Sequence, residues 1–174
     1  DADGAVLRAE FGLRGISCAH LAADPTRPTT VKTRIIAHSQ QVVRTDRESR
    51  ADLAGAALDG RLGSLAQALP GCEGLVVSDY GKGVVNARTL ELALGLARQR
   101  GMAVSVDPKE SHIDAYRGVS ILTPNQHEAG WVQGRRVADE ASLMEVGRGL
   151  RERLDAEAVL ITRGPEGMSL FESG

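Results

Sequence analysis

Three polar clusters in this chain combine residue types suited to phosphate and a hydrated cation. Ser78-Asp79-Tyr80-Gly81-Lys82-Gly83, Asp107-Pro108-Lys109 and Thr123-Pro124-Asn125-Gln126-His127-Glu128 each follow an apolar run. A lysine set between glycines, as at Lys82, offers a point charge with backbone donors beside it. Lys109 follows a proline that biases Asp107 toward extended backbone, which leaves the lysine at a strand edge. Asn125-x-x-Glu128 has two compatible readings. One is a helix-capping pair that satisfies orphan backbone donors. The other is an amide and a carboxylate that organise the water shell of Mg²⁺ near phosphates. A fourth segment, Thr162-Arg163-Gly164-Pro165-Glu166-Gly167, is a turn whose glycines either simply connect two strands or let the backbone approach a nucleotide.

Other chemistries find no support. The spacing GxxxxGK(S/T) is absent around Lys82, and GxGxxG and GxSxG do not occur. His20, His38, His112 and His127 are scattered without HExxH or carboxylate–histidine spacing. Cys18 and Cys72 lack CxxC spacing and read as reduced, structural thiols. A net charge of -2 gives no electrostatic case for nucleic acid or an anionic membrane. No apolar run approaches about 18 residues, and the N-terminus has no signal-peptide pattern, so a cytoplasmic location is the default.

The elements that must position these clusters follow from hydrophobic periodicity. Residues 3–14 read as a helix with Ala5, Val6, Ala9 and Leu13 near one face. Thr30–Ala37 and Gln41–Thr45, separated by His38-Ser39-Gln40, form a β-branched hairpin pattern that precedes the rest and should project from it. A helical pattern at 50–69 carries Leu53, Leu58, Leu62 and Leu65. Strands are then expected at 75–78, 102–106, 119–122, 158–162 and 168–171. Helices are expected after Asn86, at 125–132 and at 140–154. Strand–helix alternation indicates a mostly parallel α/β sheet, and such sheets bind ligands at the carboxyl ends of their strands. The four clusters fall at those ends. At 174 residues the chain fits one domain, and a doubly wound fold stopping at Phe171-Glu172-Ser173-Gly174 is expected to continue.

Taken in order, the clusters resemble the ribokinase/PfkB family of small-molecule kinases. Asn125-Gln126-His127-Glu128 is similar to its NxxE motif and Thr162–Gly167 to its TxGxxG segment. Val76–Gly83 and Val106-Asp107-Pro108-Lys109 resemble most closely the heptose-7-phosphate kinase branch. The resemblance implies a ribokinase-like three-layer fold with a small β-lid at about 29–46 and a nucleotide-binding part at about 74–174. It also implies ATP and Mg²⁺ as cofactors and a sugar phosphate as substrate. Asn125, Gln126, His127, Glu128, Lys109, Thr162, Gly164 and Gly167 would then serve ATP, with Glu128 reaching the metal through water. Asp79, Lys82, Arg34 and Arg44 would serve the substrate or its phosphate, and the lid would build a homodimer.

By the same resemblance, the sugar-recognition segment would precede Asp1. The GAGD-type segment bearing the catalytic base would follow Gly174, so no catalytic base is expected here and this polypeptide alone should turn over negligibly. Two rivals remain at this level: another PfkB-type sugar or nucleoside kinase, and a non-catalytic kinase-like module.

Overall fold

The computed structural model describes residues 1–172. Two sheets form. One is an antiparallel hairpin of β1 (Val31–Ala37) and β2 (Gln40–Arg47), turned by His38 and Ser39 at positive φ. The other has five strands in the order β3 (Gly74–Ser78), β4 (Ala103–Asp107), β5 (Ile121–Leu122), β6 (Ala158–Thr162) and β7 (Met168–Glu172). β3 to β6 are parallel and β7 is antiparallel to β6. The α/β reading with a mostly parallel sheet and a separate hairpin therefore holds.

Alternation along the strands decides where the core sits. Val77, Val106, Leu122 and Val159 stand abreast in the parallel register, and all are buried. They meet Leu90, Ala93, Leu94 and Ala97 of α3 (Ala87–Gln99), and Leu143, Val146 and Leu150 of α5 (Glu140–Leu154). Gly147 lets α5 lie against the Phe171 ring, because an added Cβ would come within 2.4 Å of it. Sequential strand order joined by right-handed crossovers puts these helices on one face of the sheet. On the other face Val76 and Leu170 are exposed, at 76% and 53%. The described residues thus supply two of the three layers that the family resemblance implies.

Polar ends keep the helices in register. Asn86 caps α3, Asn125 caps the short α4 (Gln126–Val132) and Asp139 caps α5, each with a reciprocal bond from the third helical residue. α1 (Ala2–Leu13) and α2 (Gly55–Ala68) form but bury no residue, and Val6 and Leu13 of the expected apolar face are exposed. Cys18 and Cys72 are unpaired thiols.

Two expectations need correction. The helix expected at 50–69 begins only at Gly55, because residues 48–53 run as a strap across the loop after β3 and Leu53 N–H donates to Gly83 O at 2.9 Å. Residues 110–116, given no element from the sequence, form a 3-10 turn, Glu110–Tyr116, between β4 and β5.

Candidate active site

The rim is built by short backbone bonds between neighbouring strand ends. Asp79 N–H donates to Asp107 O at 3.0 Å, Thr123 N–H to Val106 O at 2.8 Å, and Thr162 N–H to Pro124 O at 3.0 Å. Asn125 and Thr162 also form a parallel bridge. Pro124 has no N–H to donate, so it only accepts from Thr162, and the pairing ends at the Asn125 bridge as the chain enters the α4 cap. Clusters that begin 29, 16 and 39 positions apart along the chain become one continuous edge.

On that edge Asn125 Oδ1 accepts from His127 N–H at 2.9 Å and Glu128 N–H at 3.0 Å, and Glu128 Oε2 accepts from Asn125 N–H at 3.0 Å. The capping box is therefore real, and it leaves the other Glu128 oxygen facing Lys109 Nζ at 3.7 Å. Gln126 is half-buried and His127 exposed in the first turn of α4. Lys109 lies over Gly81, where an added Cβ would meet its Cγ at 3.3 Å. Thr162 ends β6, and Gly164 and Gly167, both at positive φ, close the turn to β7. Lys109, Asn125, Glu128 and Thr162 are thus gathered into one cluster, with Lys82 one residue beyond Gly81.

Asp79 takes a different place. It is only 5% exposed, and its carboxylate accepts from Gly81 N–H at 2.7 Å, from the Tyr116 hydroxyl at 2.7 Å and from His112 Nδ1 at 2.6 Å. It stands beneath the rim. Arg34 and Arg44 face each other across the lid hairpin in direct register, and Arg44 pairs with Asp46. Like charges placed opposite one another destabilise a hairpin unless an anion sits near them. Among the described residues, no ion pair or hydrogen bond joins either arginine to the strand-end cluster.

Four residues were missed by sequence reasoning: Glu48, Arg27, His112 and Tyr116. Glu48 leaves the lid just after β2 and its Oε2 lies 2.7 Å from Lys82 Nζ, with Arg50 on the other oxygen at 2.9 Å. Arg27 donates to Ala51 O at 2.7 Å and to Lys82 O at 3.0 Å, stapling the strap to the loop. Nothing in Arg47-Glu48-Ser49-Arg50 distinguishes it from a solvated charge run. The one available signal was Tyr116 itself, one of two tyrosines in a chain with 3% aromatic residues. A cavity of about 720 Å³ opens beside this joint, lined by Arg8, Arg27, Thr29, Ser49, Tyr80 and Lys82 among others.

The Lys82 contact, then Arg50, holds the Glu48 carboxyl at about 2, well below its ordinary 4.5. A depressed carboxylate stabilises the folded state above its unfolded value, and that contribution is lost as pH falls through the folded one. The melting temperatures of wild type and Glu48→Gln should therefore differ by a constant amount above pH 4.5. They should converge as pH falls from 4.5 toward about 2. A gap of unchanged width over that interval would mean that the Lys82–Glu48 pair does not couple to folding.

The chain matches the pfkB family carbohydrate kinase profile over residues 1–174. It is 41% identical to bifunctional protein HldE of Geobacter metallireducens over 98% of this chain and 35% of that protein. Identity to HldE of Geobacter sulfurreducens is also 41%, over 100% of this chain and 36% of that protein. The chain thus spans about a third of the length of these curated relatives. The tetrameric inhibited form of Escherichia coli phosphofructokinase-2 superposes with a TM-score of 0.75 at 16% identity, covering 99% of this chain and 57% of that one. Ribokinase from Giardia lamblia gives 0.74 at 16%, covering 99% and 56%. These two show a ribokinase-like fold. Family profile and relatives together establish that the chain belongs to the pfkB family of carbohydrate kinases.

Proposed function

We propose that this chain is part of a kinase that transfers the γ-phosphoryl group of ATP to D-glycero-β-D-manno-heptose 7-phosphate at its anomeric hydroxyl, supplying lipopolysaccharide-core heptose. The observation that carries this reading is the 41% identity to HldE-type proteins across nearly the whole chain. The strand-end cluster agrees with it. Phosphoryl transfer depends on positioning and charge stabilisation, and Lys82, Lys109 and the first turn of α4 offer two cations and a polar cradle on one edge. Asn125, Gln126, His127, Thr162, Gly164 and Gly167 border the nucleotide in this reading, and Arg34 and Arg44 wait on the lid for the substrate phosphate.

The donor set fits a hydrated cation. Among the described residues no group of three or more His, Cys, Asp or Glu gathers around a common point, while Glu128 presents one carboxylate oxygen already balanced by Lys109. A single carboxylate suits Mg²⁺ that keeps most of its waters. Glu128 would hold it through water, and its chemistry there is to neutralise charge on the phosphate oxygens. Ile35, Ile36, Val42 and Val43 are exposed on the lid, which supports a second copy of the chain as its partner. No described helix is long and apolar enough to cross a membrane, and the reading places the enzyme in the cytoplasm with its ATP.

The test is a substrate panel on the complete protein that carries this chain: heptose 7-phosphate, fructose 6-phosphate, ribose and a nucleoside, each with ATP and Mg²⁺. The heptose phosphate should lead in kcat/KM by at least about 100-fold, because polar groups built for one substrate are left unpaired by another. Preference for another sugar would move the chain to a different branch of the family. No transfer to any sugar would favour a non-catalytic module. The isolated 174-residue chain is expected to turn over negligibly, and a rate near that of the complete protein would refute this.

A further inference from the structure

We propose that Tyr116 and His112 are positioning residues for phosphoryl transfer, which hold Asp79 and through it set Lys82 and Lys109 where phosphate binds. This rests on the kinase reading above.

A buried carboxylate is tolerated only when its oxygens are hydrogen-bonded. Asp79 has three donors, and each comes from a part of the chain that touches a lysine. Gly81 N–H, at 2.7 Å from Oδ1, belongs to the residue just before Lys82 and beneath the Lys109 side chain. His112 Nδ1, at 2.6 Å from Oδ2, belongs to the turn that Lys109 begins. A carboxylate only accepts, so Nδ1 carries the proton. The Tyr116 hydroxyl, at 2.7 Å from the same Oδ2, is fully buried and closes the turn that Lys109 begins. Two side chains of the turn after β4 are therefore tied to the residue that follows β3. Burial, then the bond to Asp79 and its charge, push the Tyr116 phenol above its ordinary range, so it remains a donor throughout the working pH range.

Apolar side chains of similar volume would fill this space with less desolvation cost than a carboxylate, an imidazole and a phenol. What the polar set adds is a fixed backbone path for both lysine-bearing loops. Asp79 Oδ1 closes a tight turn onto Gly81, whose φ of +61 suits glycine. The rim is then held from beneath while its upper surface stays open. The lysines reach phosphate from a preset position, and little reorganisation is left for the transition state.

The experiment uses the complete protein. Tyr116→Phe keeps the ring and removes the hydroxyl, and kcat should fall by about 10- to 100-fold with the sugar-phosphate KM within about threefold. In a Lys82→Met background the same change should cost at least about threefold less than in wild type, because part of its effect passes through that lysine. His112→Asn, whose side-chain amide can donate from near the position of Nδ1, should stay within about threefold of wild type, and His112→Ala should fall as Tyr116→Phe does. His112 is partly exposed, so this pair keeps the test open if Tyr116→Phe folds poorly. The proposal is overturned if the complete wild type is active while Tyr116→Phe and His112→Ala keep its kcat. It is also overturned if the Tyr116→Phe loss is undiminished without Lys82, or if His112→Asn fares no better than His112→Ala. A wild type with no sugar-phosphate kinase activity would sink the kinase reading first, and this one with it.

Discussion

Glu128→Gln in the complete protein is expected to lower kcat by roughly 10- to 100-fold, the range seen when a group next to a metal's own ligands is removed. Its stability should hardly change. Glutamine serves as well as glutamate in a capping box, so the bond that Glu128 Oε2 accepts from Asn125 N–H survives the substitution. What disappears is the negative charge, and with it one partner of Lys109, at 3.7 Å. The substitution therefore separates the two roles that Asn125-x-x-Glu128 suggested from the start. A Glu128→Ala variant also loses the bond accepted from Asn125 N–H and should melt at a lower temperature, since a lost hydrogen bond costs about 1 kcal/mol. Activity of Glu128→Gln should be depressed most at limiting Mg²⁺, with the sugar-phosphate KM little affected. Turnover equal to wild type at limiting Mg²⁺ would leave Glu128 as a helix cap and nothing more.

Gly83→Ala should unfold the joint between the lid and the α/β body. A Cβ at residue 83 would lie 1.9 Å from Ala51 O, 2.5 Å from Ala51 C and 2.6 Å from Asp52 Cα, all backbone atoms. The φ of +74 adds left-handed strain. The strap cannot step aside cheaply, because Leu53 N–H bonds to Gly83 O and Arg27 ties Ala51 O to Lys82 O. Strain and overpacking together predict a loss of roughly 2–5 kcal/mol, read as a lower urea midpoint at constant slope. Gly60 in the exposed middle of α2 has nothing within 4 Å of its Cβ position and is the contrast. Gly60→Ala should gain about 0.5–1 kcal/mol of helix stability. Equal midpoints for the two variants would show that the strap does not press on the loop.

Both predictions turn on positions whose type was readable but whose setting was not. Asn125 and Glu128 stood out because a cap, a carboxylate and a strand end coincide within four residues, which is local information. Gly83 stood out only as one of two glycines flanking a lysine. That it lies under residues 51 and 52 depends on a strap more than 30 positions earlier in the chain. The same distance hid Glu48 from Lys82. It also misplaced the start of α2, since Leu53 fits a helical period but is held instead by Gly83 O. Asp79 looked like a ligand of the rim and lies buried beneath it, because its partners sit in a turn that carries no periodic signal.

The sequence by itself determined the α/β class, the order of strands and helices, and the four polar clusters that end up on one edge. Those properties come from hydrophobic period, caps and turn residues, which act over a few positions along the chain. The tertiary structure alone decided which polar residue faces outward and which supports from below. It bound Lys82 to Glu48, set Lys109 against Glu128, and enclosed Asp79 between His112 and Tyr116. Such pairings join segments about 20 to 40 residues apart, and no local pattern encodes them, because a charged side chain in a loop reads the same whether its partner is water or a folded neighbour.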